Sequence, residues 1–281
     1  MDTKIVRYIL CRMLGVEAAL LLVPVLVAVI YQEKCGIVFL IPIVILCLLF
    51  WVVGRKRPEH GQIYGKEGMV IVALAWILWS LFGAMPFTLS GYIPSYVDAF
   101  FETVSGFTTT GSSIIPDVEV LPHCLLFWRS FTHWIGGMGV LVFVLVVTSL
   151  DRKNSMHLMR AEVPGPEKDK LVPKAMSTAR ILYGMYLTLT VIEMVFLVIG
   201  GMNLFDSMIF SFGSAGTGGF SNYADSVAHF NSAYIDGVIT VFCALFGVNF
   251  ALFYFMILGD FKSILKNEEL RTYILLIAGA T

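Results

Sequence analysis

The chain has 281 residues, 58% hydrophobic and 14% charged, with a formal net charge of −1. Soluble domains keep roughly a quarter of their residues charged to face water, so this composition excludes an ordinary soluble enzyme or binding module and makes lipid the main solvent. The balanced charge gives no sign of a nucleic-acid partner, and none is expected.

Apolar residues gather into blocks near 8–31, 35–53, 68–89, 123–149, 177–201 and 234–259, and another begins near 270. Each complete block is close to the roughly 20 residues a helix needs to cross about 30 Å of hydrocarbon. Six spanning helices are expected, with a seventh running into Thr281. The first block is long and lacks a small-residue cleavage site, so it reads as a retained helix rather than a signal peptide. Basic residues cluster at alternate ends: Lys4, Arg7 and Arg12; Arg55, Lys56, Arg57 and Lys66; the stretch from Arg152 to Arg180; and Lys262, Lys266 and Arg271. Only Lys34 falls on the opposite side and only Arg129 inside the membrane. The positive-inside rule then predicts a multi-pass protein of the lipid bilayer with a cytoplasmic N-terminus. Cys11, Cys35, Cys47, Cys124 and Cys243 are scattered, which argues against a disulfide framework. His60, His123, His133, His157 and His229 show no metal-ligand spacing.

Two segments between the helices are too short and too polar to cross the bilayer. Ser95 to Ser113 reads SYVDAFFETVSGFTTTGSS, and Asn203 to Ser221 reads NLFDSMIFSFGSAGTGGFS. Placing Asp98 on Asp206 puts Thr109 on Thr217, Gly111 on Gly219 and Ser113 on Ser221, all at an offset of 108. The flanking blocks keep the same offset. Chance likeness of two Gly/Ser/Thr-rich hairpins accounts poorly for that joint agreement, and parallel repeats are a recurrent way to build a transport pathway. The expected architecture is an all-α membrane protein of helix–pore loop–helix repeats, potassium-channel-like. Its expected divisions are a two-helix extension over 1–67, a first repeat over 68–175, a second over 176–269, and the start of a truncated third over 270–281.

Irregular backbone at membrane depth survives only where protein buries it or where it lines water. Small residues at Thr108, Thr109, Thr110, Gly111 and Ser112, and at Gly216, Thr217, Gly218 and Gly219 ahead of Phe220, let carbonyl oxygens turn inward. Rings of such oxygens replace the hydration shell of potassium. Thr109, Thr110, Gly111, Ser112, Thr217, Gly218, Gly219 and Phe220 are therefore the candidate cation ligands, through their main-chain carbonyls. A short helix pointing its carboxyl end at the loop adds about half a negative charge, which favours cations. Glu102, Asp117, Glu119, Asp225 and Asp236 are candidates for a negative mouth, or are ordinary solvated charges.

The stretch from Phe101 to Val147 resembles the first pore repeat of the TrkH subunits of bacterial Trk potassium uptake systems, in the wider Trk/Ktr/HKT superfamily. GTGGFSNYADS, from Gly216 to Ser226, is similar to the family's second pore loop. The resemblance implies potassium uptake across the bacterial inner membrane, with Gly111 and Gly219 as filter glycines. Glycine at 111 leans toward potassium, because serine there accompanies sodium preference in plant relatives. It further implies a homodimer resting on a cytosolic TrkA-type nucleotide-binding regulatory subunit, facing the loop Arg152–Lys174 and Lys262–Arg271, with no organic cofactor in this chain. The family carries four repeats around one pore, so this sequence is expected to be part of a longer chain. Proton- or sodium-coupled symport of potassium, or a sodium-permeable homologue, is the alternative.

Neither HExxH nor GxSxG occurs, so an enzyme is not expected. Arg129, in FWRSFTHWIGG, is by its position a functional candidate, but pairing with Glu102 or with loop carbonyls is the favoured role. The run Gly136-Gly137-Met138-Gly139 is expected inside a helix as a close-packing surface rather than a nucleotide loop. Gly61 to Lys66 has the wrong spacing for a phosphate loop. Glu17 and Glu193 are expected to be satisfied internally rather than to relay protons.

Overall fold

In lipid every peptide N–H and C=O has to be satisfied within the chain, which makes continuous helices the default crossing element. The computed structural model describes residues 3–55, 65–139, 175–257, 259–260, 264 and 266–280, and every regular element among them is helical. Among the described residues, four helices are long and apolar enough to cross a membrane: Thr3–Ile30, Lys34–Gly54, Glu67–Leu89 and Ile181–Ile199. The first is interrupted at Leu21, just ahead of Pro24, whose ring removes a helical N–H. The expected cytoplasmic stretches at 56–64 and 152–174, and Lys262, lie outside the described residues.

Large apolar side chains such as Leu26, Val29, Ile37, Val52 and Ile199 stand on the outside. Such a surface is stable against lipid, not water. The chain is a membrane protein. Its core is aromatic where the helices Glu67–Leu89, Tyr96–Phe107 and His123–Gly137 meet. Trp79 meets Phe107 edge-on at 5.6 Å, Phe107 meets Trp128 at 6.1 Å, and the Trp128 indole N–H donates to the Gly83 carbonyl at 2.9 Å.

Two expected helices are not continuous. Within the block 123–149 the described helix spans His123–Gly137. Gly139 then takes a φ of 73°, the left-handed conformation that ends helices, and 140–149 lie outside the described residues. The GGMG run therefore straddles a helix end. The block 234–259 bends by 89° between Ala233–Phe246 and Phe250–Ile257. Gly247 closes the first piece, and Asn249 Oδ1 accepts from the Ala251 N–H at 3.0 Å, capping the second. Gly139 and Gly247 are themselves 108 residues apart (247 − 139), so both helices break in one register.

Contacts gather several inter-helix segments on one side. Glu33 accepts main-chain N–H bonds from His123 at 2.8 Å and Cys124 at 3.0 Å. Burial pushes its carboxyl up, but these bonds and the His123 ring outweigh that and hold it below the usual carboxylate range. Further along, Glu119 accepts from the Ala224 N–H at 3.1 Å, which joins the segments that follow the two loops.

Candidate functional site

The helices Tyr96–Phe107 and Leu204–Ala215 have 12 residues each. At about 1.5 Å per residue they fall well short of the roughly 30 Å hydrocarbon layer. Both start on a polar cap. Ser95 Oγ accepts from the Asp98 N–H at 3.3 Å, and Asn203 Oδ1 accepts from the Asp206 N–H at 2.8 Å.

They also end alike. In the first, Thr108, Thr109 and Thr110 donate to the carbonyls of Val104, Gly106 and Ser105 at 2.8, 3.0 and 2.9 Å. In the second, Gly216, Thr217 and Gly218 donate to Phe212, Ser214 and Gly213 at 3.1, 2.9 and 3.1 Å. All six positions correspond at the offset of 108. This is the Schellman termination, whose left-handed residue is usually glycine. Here it is threonine both times, Thr109 at φ 55° and Thr217 at φ 53°, a conformation costing a side chain about 1–2 kcal/mol. The same strain held at matching positions points to a functional constraint. Two residues on, Gly111 and Gly219 take φ 78° and 81°.

The termination turns the loop N–H groups back onto the helix and leaves the oxygens over. Among the described residues no hydrogen bond reaches the main-chain oxygens of 108–112 or 216–220. The loops touch each other: a Cβ on Gly111 would fall on the Gly218 oxygen. Behind them, the glycines ending helix His123–Gly137 admit both short helices. A Cβ on Gly136 would fall on the Phe107 oxygen, and one on Gly137 would come within 2.9 Å of the Ala215 oxygen.

Arg129 bridges the two loops. It is 4% exposed; its Nε donates to Glu102 at 2.6 Å and a terminal nitrogen to the Ser221 carbonyl at 3.0 Å. Its guanidinium lies 3.5 Å from the centre of the Phe220 ring, and the buried His133 ring stacks on Phe220 at 3.8 Å. Glu102 in turn accepts from Ser113 Oγ at 3.0 Å and the Ile114 N–H at 2.9 Å. One buried ion pair thus ties the first short helix, the exit of the first loop and the exit of the second. The pairing expected for Arg129 is present, whereas Glu102 does not supply a charge to the mouth, because its partner neutralises it. Asp117, Glu119, Asp225 and Asp236 are exposed.

Comparison with known proteins places this arrangement. Residues 36–280 match the family model described as TrkH, cation transport protein. The chain belongs to the TrkH family. Among curated TrkH-family relatives, the Trk system potassium uptake protein TrkH of Escherichia coli K12 is 35% identical over 261 residues, 90% of this chain and 53% of that protein. The Trk system potassium uptake protein TrkG of the same strain is 35% identical over 263 residues, 92% of this chain and 54% of that one. The crystal structure of the potassium transporter TrkH from Vibrio parahaemolyticus superposes with a TM-score of 0.83 at 29% identity, covering 98% of this chain and 57% of that one. This TrkH-family chain spans about half the length of the curated relatives it matches.

The second loop of the TrkH-family chain has an anchor that its sequence did not reveal. Asp206 accepts from Asn203 Nδ2 at 2.7 Å, Asn222 Nδ2 at 2.7 Å and the Tyr223 hydroxyl at 3.0 Å. Burial and the Asp206 carboxylate raise the Tyr223 hydroxyl to about 12, so it keeps its proton and donates throughout the physiological range. Asp98, the first-loop counterpart, marks the register but lacks Asn and Tyr partners at the matching loop positions, Ile114 and Ile115. Asp206→Ala removes the acceptor of three donors, and the buried Asn222 amide costs about 1–3 kcal/mol when left unsatisfied. The expected result is a lower unfolding temperature in detergent, with Asp98→Ala changing it far less. Equal shifts would remove the anchoring role.

Proposed function

We propose that the two loops line a cation filter through which the full-length protein takes up potassium. The observation that carries this is the pair of matched terminations, each with a strained threonine and a run of unclaimed carbonyl oxygens. Oxygens without N–H partners are suited to replace the water around a dehydrated monovalent ion. Two helix carboxyl ends directed at one place add the negative potential of their dipoles. Thr109, Thr110, Gly111, Ser112, Thr217, Gly218, Gly219 and Phe220 are the proposed ligands, potassium being the transported ion and not a resident cofactor. Family relatives named as potassium uptake proteins support the choice of ion.

The same membership supports the rest of the proposal. The protein sits in the bacterial inner membrane with its N-terminus in the cytoplasm, works as a homodimer, and docks a TrkA-type nucleotide-binding subunit. An inside-negative potential drives entry, at about 2.3 kcal/mol per charge per 100 mV. Proton-coupled symport is the second reading, favoured by one observation, the unpartnered buried acid Glu193.

The test is tracer rubidium uptake by cells lacking their own potassium importers and expressing the full-length gene. Uptake that potassium displaces and sodium does not is the expected outcome. Absence of uptake at normal protein abundance, or equal displacement by sodium, overturns the assignment.

A further inference from the structure

An ionisable side chain inside a membrane helix is costly unless something there uses it. Glu193 lies within the spanning helix Ile181–Ile199, is 0% exposed, and neither carboxyl oxygen has a hydrogen-bond partner. Glu17 is similarly orphaned, so neither acid is satisfied internally as their sequence suggests. Glu193 differs in its position against the second short helix. The Ser214 hydroxyl, in the last turn of that helix, faces the carboxyl, yet neither completes a bond. Ser211, one turn earlier on the same helix face, is also buried with a free hydroxyl. Nearby donors are already committed: Thr190 donates to the Tyr186 carbonyl at 2.8 Å, and the Tyr186 hydroxyl to the Trp134 carbonyl at 2.9 Å. The titratable groups facing Glu193 are the Tyr186 phenol and the Cys243 thiol, and among the described residues no Lys or Arg faces it.

Several buried polar groups left open at one helix interface mark a site for a small missing occupant. A carboxylate with no counter-charge and no donors is disfavoured at this depth by several kcal/mol, and a proton removes that cost without requiring space. We propose that Glu193 is a proton-binding site, its acid hydroxyl shared with Ser214, which controls the charge beside the second cation loop. Ser214 also accepts, through its carbonyl, the N–H of the strained Thr217 at 2.9 Å, so the site adjoins the loop directly. Loss of the proton adds one negative charge to the loop surroundings and strengthens cation binding. By reciprocity, a cation in the loop promotes release of the proton.

This rests on the loops being a cation filter, so the test has one readout that needs no transport. In the full-length protein in liposomes, infrared difference spectra between neutral and alkaline pH should show a protonated-acid carbonyl stretch that Glu193→Gln lacks. In rubidium uptake, the native apparent affinity should rise with pH by about tenfold, as one charge at intermediate range in a protein interior implies. In Glu193→Gln, at normal abundance, it should be flat. An infrared band unaffected by Glu193→Gln overturns the proposal. So does an unchanged pH profile in the variant, or loss of a sodium dependence with the pH profile intact, which would make the site one for sodium. Native protein that shows the band but transports nothing would instead fault the filter assignment.

Discussion

Gly111→Ser in the full-length protein is expected to lower selective rubidium uptake by on the order of a hundredfold or more, while Gly219→Ser lowers it by about tenfold. Both glycines hold positive φ, at 78° and 81°, so any side chain incurs roughly 1–2 kcal/mol of backbone strain at either. The difference lies in space. A Cβ at Gly219 meets nothing within 4 Å, whereas one at Gly111 falls on the Gly218 oxygen, itself a proposed ligand. Serine at 111 therefore displaces the opposite loop as well as straining its own. Uptake with potassium and sodium as competitors, normalised to abundance, measures both. Equal losses would show that the approach of the loops is irrelevant to conduction.

Arg129→Gln is expected to reduce both abundance and thermal stability, because removing one member of a buried pair leaves Glu102 uncompensated at about 3–5 kcal/mol. The combination with Glu102→Gln should restore most of that stability, since no isolated charge remains. Selectivity should stay impaired in the double variant. It lacks the bond to the Ser221 carbonyl and the guanidinium against Phe220, which hold the second loop in place. Normal abundance of Arg129→Gln with transport abolished would instead assign Arg129 to the ion path.

Much of this was legible from residue order. Hydrophobic block length marks spanning helices because lipid thickness is fixed, and the 108-residue offset exposed the paired loops because the two segments share their caps and turns. The same offset relates Ser95 to Asn203 and Gly139 to Gly247, the two helix breaks. Those breaks escaped the block reading because hydropathy registers composition, not dihedral angles. Phe250 to Ile257 is as apolar as a continuous helix would be, and only Gly247 and Asn249 signal the bend.

Sequence by itself determined that the chain belongs in lipid, that it is helical, and that Thr109–Ser112 and Thr217–Phe220 are the irregular polar segments. It also offered Glu102 as a partner for Arg129, since a buried guanidinium requires a carboxylate and few lie at that depth. Tertiary structure decided what those segments do to each other. Gly111 facing the Gly218 oxygen and Arg129 reaching Ser221 are contacts between residues far apart in the chain; Asp206 gathering Asn222 and Tyr223 and Glu193 left without a hydrogen-bond partner likewise follow from how the helices pack. Their distances are set by how the helices pack, and no local pattern of residues encodes that.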